Sequence, residues 1–449
     1  MRQLNYSYRR IFNIALPLIL GNLAYSAIGF ADMYFMKFVG PIEQGAISYV
    51  GHLYTTIFIM GYAYCKGVQI LVANQVGANA LHKVGAIVDH ALITLLAMAM
   101  FLILLVDQFG LTLLSALLNT PEAIESSWDY LSIRKIGFGF SFIGCVMLAM
   151  YSGIERTKIL AVAIASMSLT NIFLNWVFVF GKFGLEPMGI RGAAWASNIA
   201  EVVSLGVFTA GLLYQRLIPR LKIFHFKAFS RQLFAQINWT SLPLIFQAII
   251  ALTTWFLFFT LVERKLGSTA WAASGPVKNF YTLFGVTSYA FASTTNTAIG
   301  NLVGKGAYDE IIPTVKRMIG LSLLVAVLVT LPVLLIPKTL LLCITTPELV
   351  EVGLVTLYVS MASLWTYSIG TILFNAIVGL GQTAWSLVIE ILSCIGFIVF
   401  LILLFYGVNC TSLAWGWSSE IIYWVLTGGL GLAWFKWFFP KAIEQIKNS

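Results

Sequence analysis

The residues of this chain that could do chemistry stand in apolar company. Asp32 lies in IGFADMYFMKFVG (28–40), flanked by Phe30, Ala31, Met33, Tyr34 and Phe35. Asn171 and Asn175 lie four apart in NIFLN, so a helix presents both amides on one face. Glu201, Glu420, Lys66 and Lys278 each interrupt a long apolar run. Low-dielectric surroundings penalise the charged form of a carboxyl, so an acid placed there can take up a proton or a small cation. Ionisable groups inside a membrane are costly and mark paths for protons, ions or substrates. Other chemistries find no support. The five cysteines (Cys65, Cys145, Cys343, Cys394, Cys410) lack the paired spacing of a disulfide framework or a zinc site. The four histidines (His52, His82, His90, His225) show no ligand spacing. No Walker motif or nucleophile constellation points to an enzyme, and no charged ring or filter-like loop points to a channel.

The elements that carry these residues follow from composition. Of 449 residues, 59% are hydrophobic and 10% charged, where a soluble protein carries about 25% charged residues. Apolar runs follow one another with short polar breaks, which predicts an all-α polytopic membrane protein. The alternating segments of a β-barrel are missing. Cutting at the polar breaks gives twelve spans, near 11–34, 46–73, 84–107, 128–150, 159–180, 190–213, 241–262, 271–298, 311–336, 352–376, 384–406 and 410–434. The first follows Arg9 and Arg10 and reads as an uncleaved span rather than a signal peptide. With the N-terminus inside, 17 Lys and Arg fall on the cytoplasmic side. Eight fall outside, Arg134 and Lys135 among them, and Lys66 and Lys278 lie within spans. That bias predicts both termini in the cytoplasm. The net charge of +9 therefore reads as topology, and a nucleic-acid partner is excluded.

Two halves repeat. LPLI occurs at 16–19 and at 242–245; NQVGANA at 74–80 matches NLVGKGA at 301–307; GIERT at 153–157 matches GLGQT at 379–383. Glu201 and Glu420 match at a slightly shorter offset. Matches in one order at nearly constant spacing indicate an internal duplication. Six spans per half make both halves face the same way, as two pseudo-symmetric six-helix bundles (6+6) around a cleft. The predicted domains are a lobe over 1–215, a cytoplasmic linker over 216–240 and a second lobe over 241–449. The linker carries five Lys and Arg among Leu, Ile and Phe, which predicts an amphipathic helix on the anionic inner leaflet.

The Asp-bearing first span, the VANQVGA segment, NIFLN with FGKFGLEPMGIRGAAWASN, NAIVGLGQT and the 6+6 duplication together resemble the multidrug and toxic compound extrusion (MATE) family. The resemblance covers nearly the whole chain. It implies a secondary antiporter that needs no cofactor, exports cationic or amphiphilic small molecules in exchange for H+ or Na+, and uses the first-span acid for coupling. A monomer in the bacterial inner membrane is the expected state. The fifth span often reads Asn-x-x-x-Asp in such proteins; here the second position is Asn175. One large subgroup also carries acids in spans seven and ten; here those spans offer Gln247, Tyr367 and Asn375 instead. A lipid-linked saccharide flippase of the same superfamily is the alternative, disfavoured because only Lys66 and Lys278 are deep cations.

The repeat also serves as a control. Asp32 maps to Phe258, Asn171 to Phe397 and Asn175 to Leu401, so this polar set belongs to one half only. It predicts a cation-coupling pocket built by spans one and five. Loss of the subgroup's second-lobe acids leans towards H+, with Na+ held by Asp32, Asn171 and Asn175 oxygens as the other reading. Glu201 and Glu420 recur in both halves, which favours a structural role over a relay. Glu201 and Asp32 are the candidate partners of Lys66, and Glu390 reads as a packing partner. Lys66, Gln247, Lys278 and Tyr367 are candidates to line the cleft.

Overall fold

The computed structural model describes residues 6–226 and 229–448. Arg2 and Lys227, counted above among the inner charges, lie outside them, as do the side chains of Phe30 and Met33. In chain order the helices of the first half are α1 (Tyr8–Met36), α2 (Pro41–Gly77), α3 (Val84–Leu117), α4 (Pro121–Arg134), α5 (Gly137–Gly153), α6 (Thr157–Phe180), α7 (Gly189–Tyr214) and the short α8 (Leu217–Leu221). Those of the second half are α9 (Arg231–Lys305), α10 (Ile311–Leu335), the short α11 (Pro337–Leu342), α12 (Pro347–Gly379), α13 (Thr383–Ile402), the short α14 (Leu413–Trp417), α15 (Ser419–Trp437) and α16 (Phe439–Asn448).

At 1.5 Å per residue, the 75 residues of α9 would run roughly 112 Å, against a hydrocarbon core of about 30 Å. Gly267 resolves this. Its backbone is non-helical, at φ 84° and ψ 175°, and divides α9 into two limbs, each long enough to span. The pair α4 and α5, bent by 49°, makes one span, and α15 is bent by 58° against α16. So divided, the described residues form twelve spans, close to the ranges read from the sequence.

The chain forms two compact units. One comprises 17–76 and 80–241; the other comprises 1–16, 77–79 and 242–449. In both α1 and α9 the passage between units falls at the LPLI motif, beside Pro17 and Pro243. A proline inside a helix leaves the carbonyl one turn back without its N–H partner and so weakens the rod locally.

The duplication is visible in atomic detail. Helices α4 and α12 both open on a Pro-Glu pair, at Pro121 and Pro347, with proline in the first turn where no N–H is missed. Gly153 lies against Val72 and the Gln69 carbonyl, and Gly379 lies against Ile299 and the Asn296 carbonyl. Each side-chain contact is the repeat image of the other. A methyl group on Gly153 would come within 2.6 Å of Val72, and one on Gly379 within 2.8 Å of the Asn296 oxygen. Both units thus need the same bare helix surface at the same crossing.

The linker departs from expectation. Instead of one amphipathic helix over 216–240, the chain makes the short α8, turns over 222–226 and enters α9 at Arg231. The cause is Asp89, buried on α3. Its carboxylate accepts the backbone N–H groups of Phe224 (2.8 Å), His225 (3.1 Å) and Phe226 (3.1 Å). Three charge-assisted bonds to consecutive amides hold a turn that an amphipathic pattern cannot override. Next to it, His90 Nε2 accepts the Ser230 N–H at 3.0 Å.

Candidate functional site

Helices α1, α6 and α7 bring four polar groups together in the unit 17–76, 80–241. Asn175 Nδ2 donates to Asp32 Oδ1 at 2.7 Å and to Asn171 Oδ1 at 3.1 Å. Asn171 Nδ2 donates to Ser197 Oγ at 3.1 Å. Asn171 is 1% exposed and Asn175 0%, whereas Asp32 is half-buried. One turn before Asn171, Ser168 donates to the Ala24 carbonyl at 2.6 Å, which fixes α6 against α1. Asn175 Oδ1 is buried without a hydrogen-bond partner. The group is therefore a carboxylate, two amides and a hydroxyl, with neutral donors only. Sequence reasoning placed Asp32, Asn171 and Asn175 together and missed Ser197, which nothing in its spacing distinguishes.

The corresponding place in the other unit is apolar. Phe258, Phe397 and Leu401 belong to one buried cluster, with the two rings 6.1 Å apart. The polar triad is a feature of one half, built where the other half keeps ordinary core.

A second polar centre lies in the first-half unit. Arg134 Nη2 meets Glu201 Oε1 at 2.5 Å, and Arg134 Nη1 donates to Glu201 Oε2 at 3.2 Å and to Asn198 Oδ1 at 2.7 Å. Ser141 (2.7 Å) and Tyr54 (3.3 Å) also donate to Glu201 Oε1. The guanidinium lies 3.8 Å from the centre of the Tyr54 ring. Both charged side chains are largely enclosed, at 9% and 12% exposure. One expectation changes. Arg134 is an internal ion-pair partner, not an outer-loop charge; the 49° bend just beyond it turns α4 so that its last residue enters the interior. Glu201 is thus matched by Arg134, and the Lys66 ammonium sits 5.7 Å from the Tyr62 ring centre. The neighbouring Lys135 pairs instead with Asp107.

The second-half unit arranges its candidates differently. Glu420 Oε2 accepts the Tyr281 hydroxyl at 2.8 Å and the Trp424 indole N–H at 3.2 Å. Tyr367 lies 4.4 Å from the Trp424 ring. The Lys278 ammonium lies over Trp255 (5.2 Å) and Phe259 (5.0 Å). Gln247 is elsewhere in the unit, donating to Ser386 Oγ at 2.6 Å and packing α9 on α13. Glu390 accepts the Tyr423 hydroxyl at 2.8 Å.

Comparison with known proteins accords with this architecture. The MatE family model matches residues 17–177 and 243–404, one match in each half and more than half the chain. A probable multidrug resistance protein NorM of Thermotoga maritima is 24% identical over 391 residues, covering 86% of this chain and 82% of that one. The multidrug resistance protein NorM of Vibrio cholerae is 24% identical over 326 residues, covering 70% and 68%. Among solved structures, the outward-facing conformation of a multidrug resistance MATE family transporter of the MOP superfamily superposes with a TM-score of 0.87. It covers 98% of this chain and 97% of that one at 17% identity, a likeness of fold. Twelve helical spans, an internal duplication and a family match in each half lead to one conclusion: this chain is a multi-pass membrane protein that belongs to the MatE family of transporters.

Proposed function

We propose that this protein is a secondary antiporter of the bacterial inner membrane, with both termini cytoplasmic and no catalytic activity. It exports cationic or amphiphilic small molecules by alternating access, and an inward flow of H+ through Asp32 drives it. The observation that carries the reading is the half-buried Asp32 carboxylate, bonded at 2.7 Å to the buried Asn175 amide and replaced by Phe258 in the other half. The multidrug relatives in Thermotoga and Vibrio support the substrate class.

The chain's own residues suggest how coupling works. As an anion, Asp32 accepts a charge-assisted bond from Asn175, which ties α1 to α6. Protonation turns that carboxyl into a neutral group and weakens the tie, while the Ser168–Ala24 bond is unchanged. A cationic substrate favours the anionic form, so proton and substrate are mutually exclusive. Proton occupancy is thereby converted into helix packing, the bistable element that a two-state transporter needs. A second reading has Na+ as the coupling ion. It is favoured by the partnerless buried oxygen of Asn175 beside Asp32, since a hard cation takes oxygen ligands.

The test is ethidium transport in proteoliposomes, with a pH gradient and a Na+ gradient imposed separately. Efflux that follows the pH gradient and is lost in Asp32→Asn supports the proposal. Efflux that follows only Na+ selects the second reading. Transport driven by neither gradient, together with flipping of an isoprenoid-linked saccharide, would overturn both in favour of a flippase.

A further inference from the structure

The two glutamates that the duplication preserves have diverged in what balances them. In the first-half unit Glu201 is held by a tyrosine (Tyr54), a serine (Ser141) and an arginine (Arg134), and Asn198 is the other partner of that arginine. Carrying each position over by the repeat offsets gives the second-half counterparts. Tyr54 becomes Tyr281, and the tyrosine-to-glutamate bond survives at 2.8 Å on Glu420. Arg134 becomes Ser360, Ser141 becomes Tyr367, and Asn198 becomes Trp417. The acid and its tyrosine are thus retained, the internal cation is deleted, and aromatic rings replace the small polar groups.

The geometry around Glu420 fits that description. Its hydrogen bonds come from two neutral donors, Tyr281 and Trp424, and among the described residues no cation pairs with it. Glu420 is 6% exposed. Trp417 lies 6.1 Å from Tyr281, Tyr367 lies 6.4 Å from Tyr281, and Trp424 lies 4.4 Å from Tyr367. Tyr367 and Trp424 are half-buried, whereas Trp417 is fully buried. The other charged groups of the neighbourhood are accounted for. Lys278 is held over Trp255 and Phe259, and Trp255 itself touches Trp417 and Tyr281. Glu390 is bonded by Tyr423, whose ring packs on Trp424.

A buried carboxylate is tolerated when a cation or a proton neutralises it. Aromatic faces add attraction for an organic cation, worth most where water is excluded. The first-half unit fills this place with its own arginine. We infer that the second-half unit leaves it for a ligand: Glu420, walled by Tyr281, Tyr367, Trp417 and Trp424, is a recognition site for monovalent organic cations. This inference rests on the proposed export of cationic compounds and names one place where they bind.

Equilibrium binding of tetraphenylphosphonium to the purified full chain in nanodiscs, with no gradient, tests it. Triphenylphosphine oxide serves as a neutral probe of similar shape. Glu420→Gln keeps the shape and the bonds from Tyr281 and Trp424 but removes the charge. It is expected to weaken the cation at least about tenfold, or about 1.4 kcal/mol, and to leave the neutral probe within about twofold. Glu420→Asp is expected to retain part of the affinity. Ser360→Arg, which restores the internal cation of the other half, is expected to displace the cation as Glu420→Gln does. Equal weakening of both probes in Glu420→Gln, or unchanged cation affinity, overturns the site while leaving antiport intact. A wild-type chain that binds no tetraphenylphosphonium overturns the site and counts against cation export as well.

Discussion

Arg134→Met offers a sharp test of the internal ion pair. The substitution keeps an unbranched side chain of similar reach and removes the guanidinium. Glu201 then keeps its bonds from Ser141 and Tyr54 but loses the two from Arg134, at 2.5 and 3.2 Å. A hydrogen bond to a charged group contributes about 1.5–3 kcal/mol, so the two together give about 3–6 kcal/mol. Breaking one side of a buried ion pair costs about 3–5 kcal/mol, which agrees. Because both side chains are nearly enclosed, solvent screening reduces this little. Asn198 is left less exposed to loss, since its amide still donates to the Ile133 carbonyl at 2.8 Å. Removing both charges, as Arg134→Met with Glu201→Leu, is expected to recover most of the loss, because a well-packed apolar pair is often neutral or better. The assay is reversible unfolding in mixed micelles, followed by tryptophan fluorescence. A single variant within about 0.5 kcal/mol of the parent would refute a structural ion pair. So would a double variant no more stable than the single one.

Other outcomes follow from the same contacts. Asp89→Ala deprives three consecutive amides of their acceptor. Phe224 and Phe226 are exposed enough for water to replace it, so hydrogen exchange should quicken at 224–226 while the melting temperature changes little; unchanged exchange would count against the anchoring role. Gly153→Ala and Gly379→Ala should each destabilise, within the roughly 1–3 kcal/mol of an overpacked core. The added methyl would meet the Cβ of Val72 at 2.9 Å in the first case and the Cβ of Ile299 at 2.9 Å in the second, neither of which a rotamer change can move. Unfolding in detergent within about 0.5 kcal/mol of the parent for either would refute the crossing. Asn175→Leu removes the amide that donates to Asp32, so gradient-driven efflux should fall at least about tenfold, the factor that corresponds to about 1.4 kcal/mol. Efflux at the parental rate would separate Asn175 from the coupling group.

How much of this was legible beforehand depends on the reach of the signal. Spans were readable because lipid demands about 20 apolar residues in a row, a constraint written entirely along the chain. The Asp32 group was readable for a related reason. An acid in such a run is conspicuous, two amides at a four-residue spacing share a face, and the repeat showed that neither belongs to common architecture. Arg134 was not readable. It stands beside Lys135 at the edge of a run, and edge charges look like loop charges until the bend between α4 and α5 aims one inward. The linker misled because its pattern is amphipathic, while its conformation is set from a distance by Asp89 on α3. The break in α9 was readable as the polar stretch Glu263, Arg264 and Lys265 between the spans at 241–262 and 271–298, although only the backbone of Gly267 leaves the helix there.

The central claim is that Asp32 couples substrate export to an ion, rather than merely holding α1 in place. The most direct measurement compares two modes of transport in Asp32→Asn proteoliposomes. Exchange of labelled for unlabelled ethidium without a gradient needs substrate binding and helix movement but no coupling ion. Gradient-driven efflux needs all three. If the claim holds, Asp32→Asn keeps exchange and loses uphill efflux, and the proton movement that accompanies substrate disappears. Uphill efflux at the parental rate in Asp32→Asn, with its proton flux intact, would contradict it.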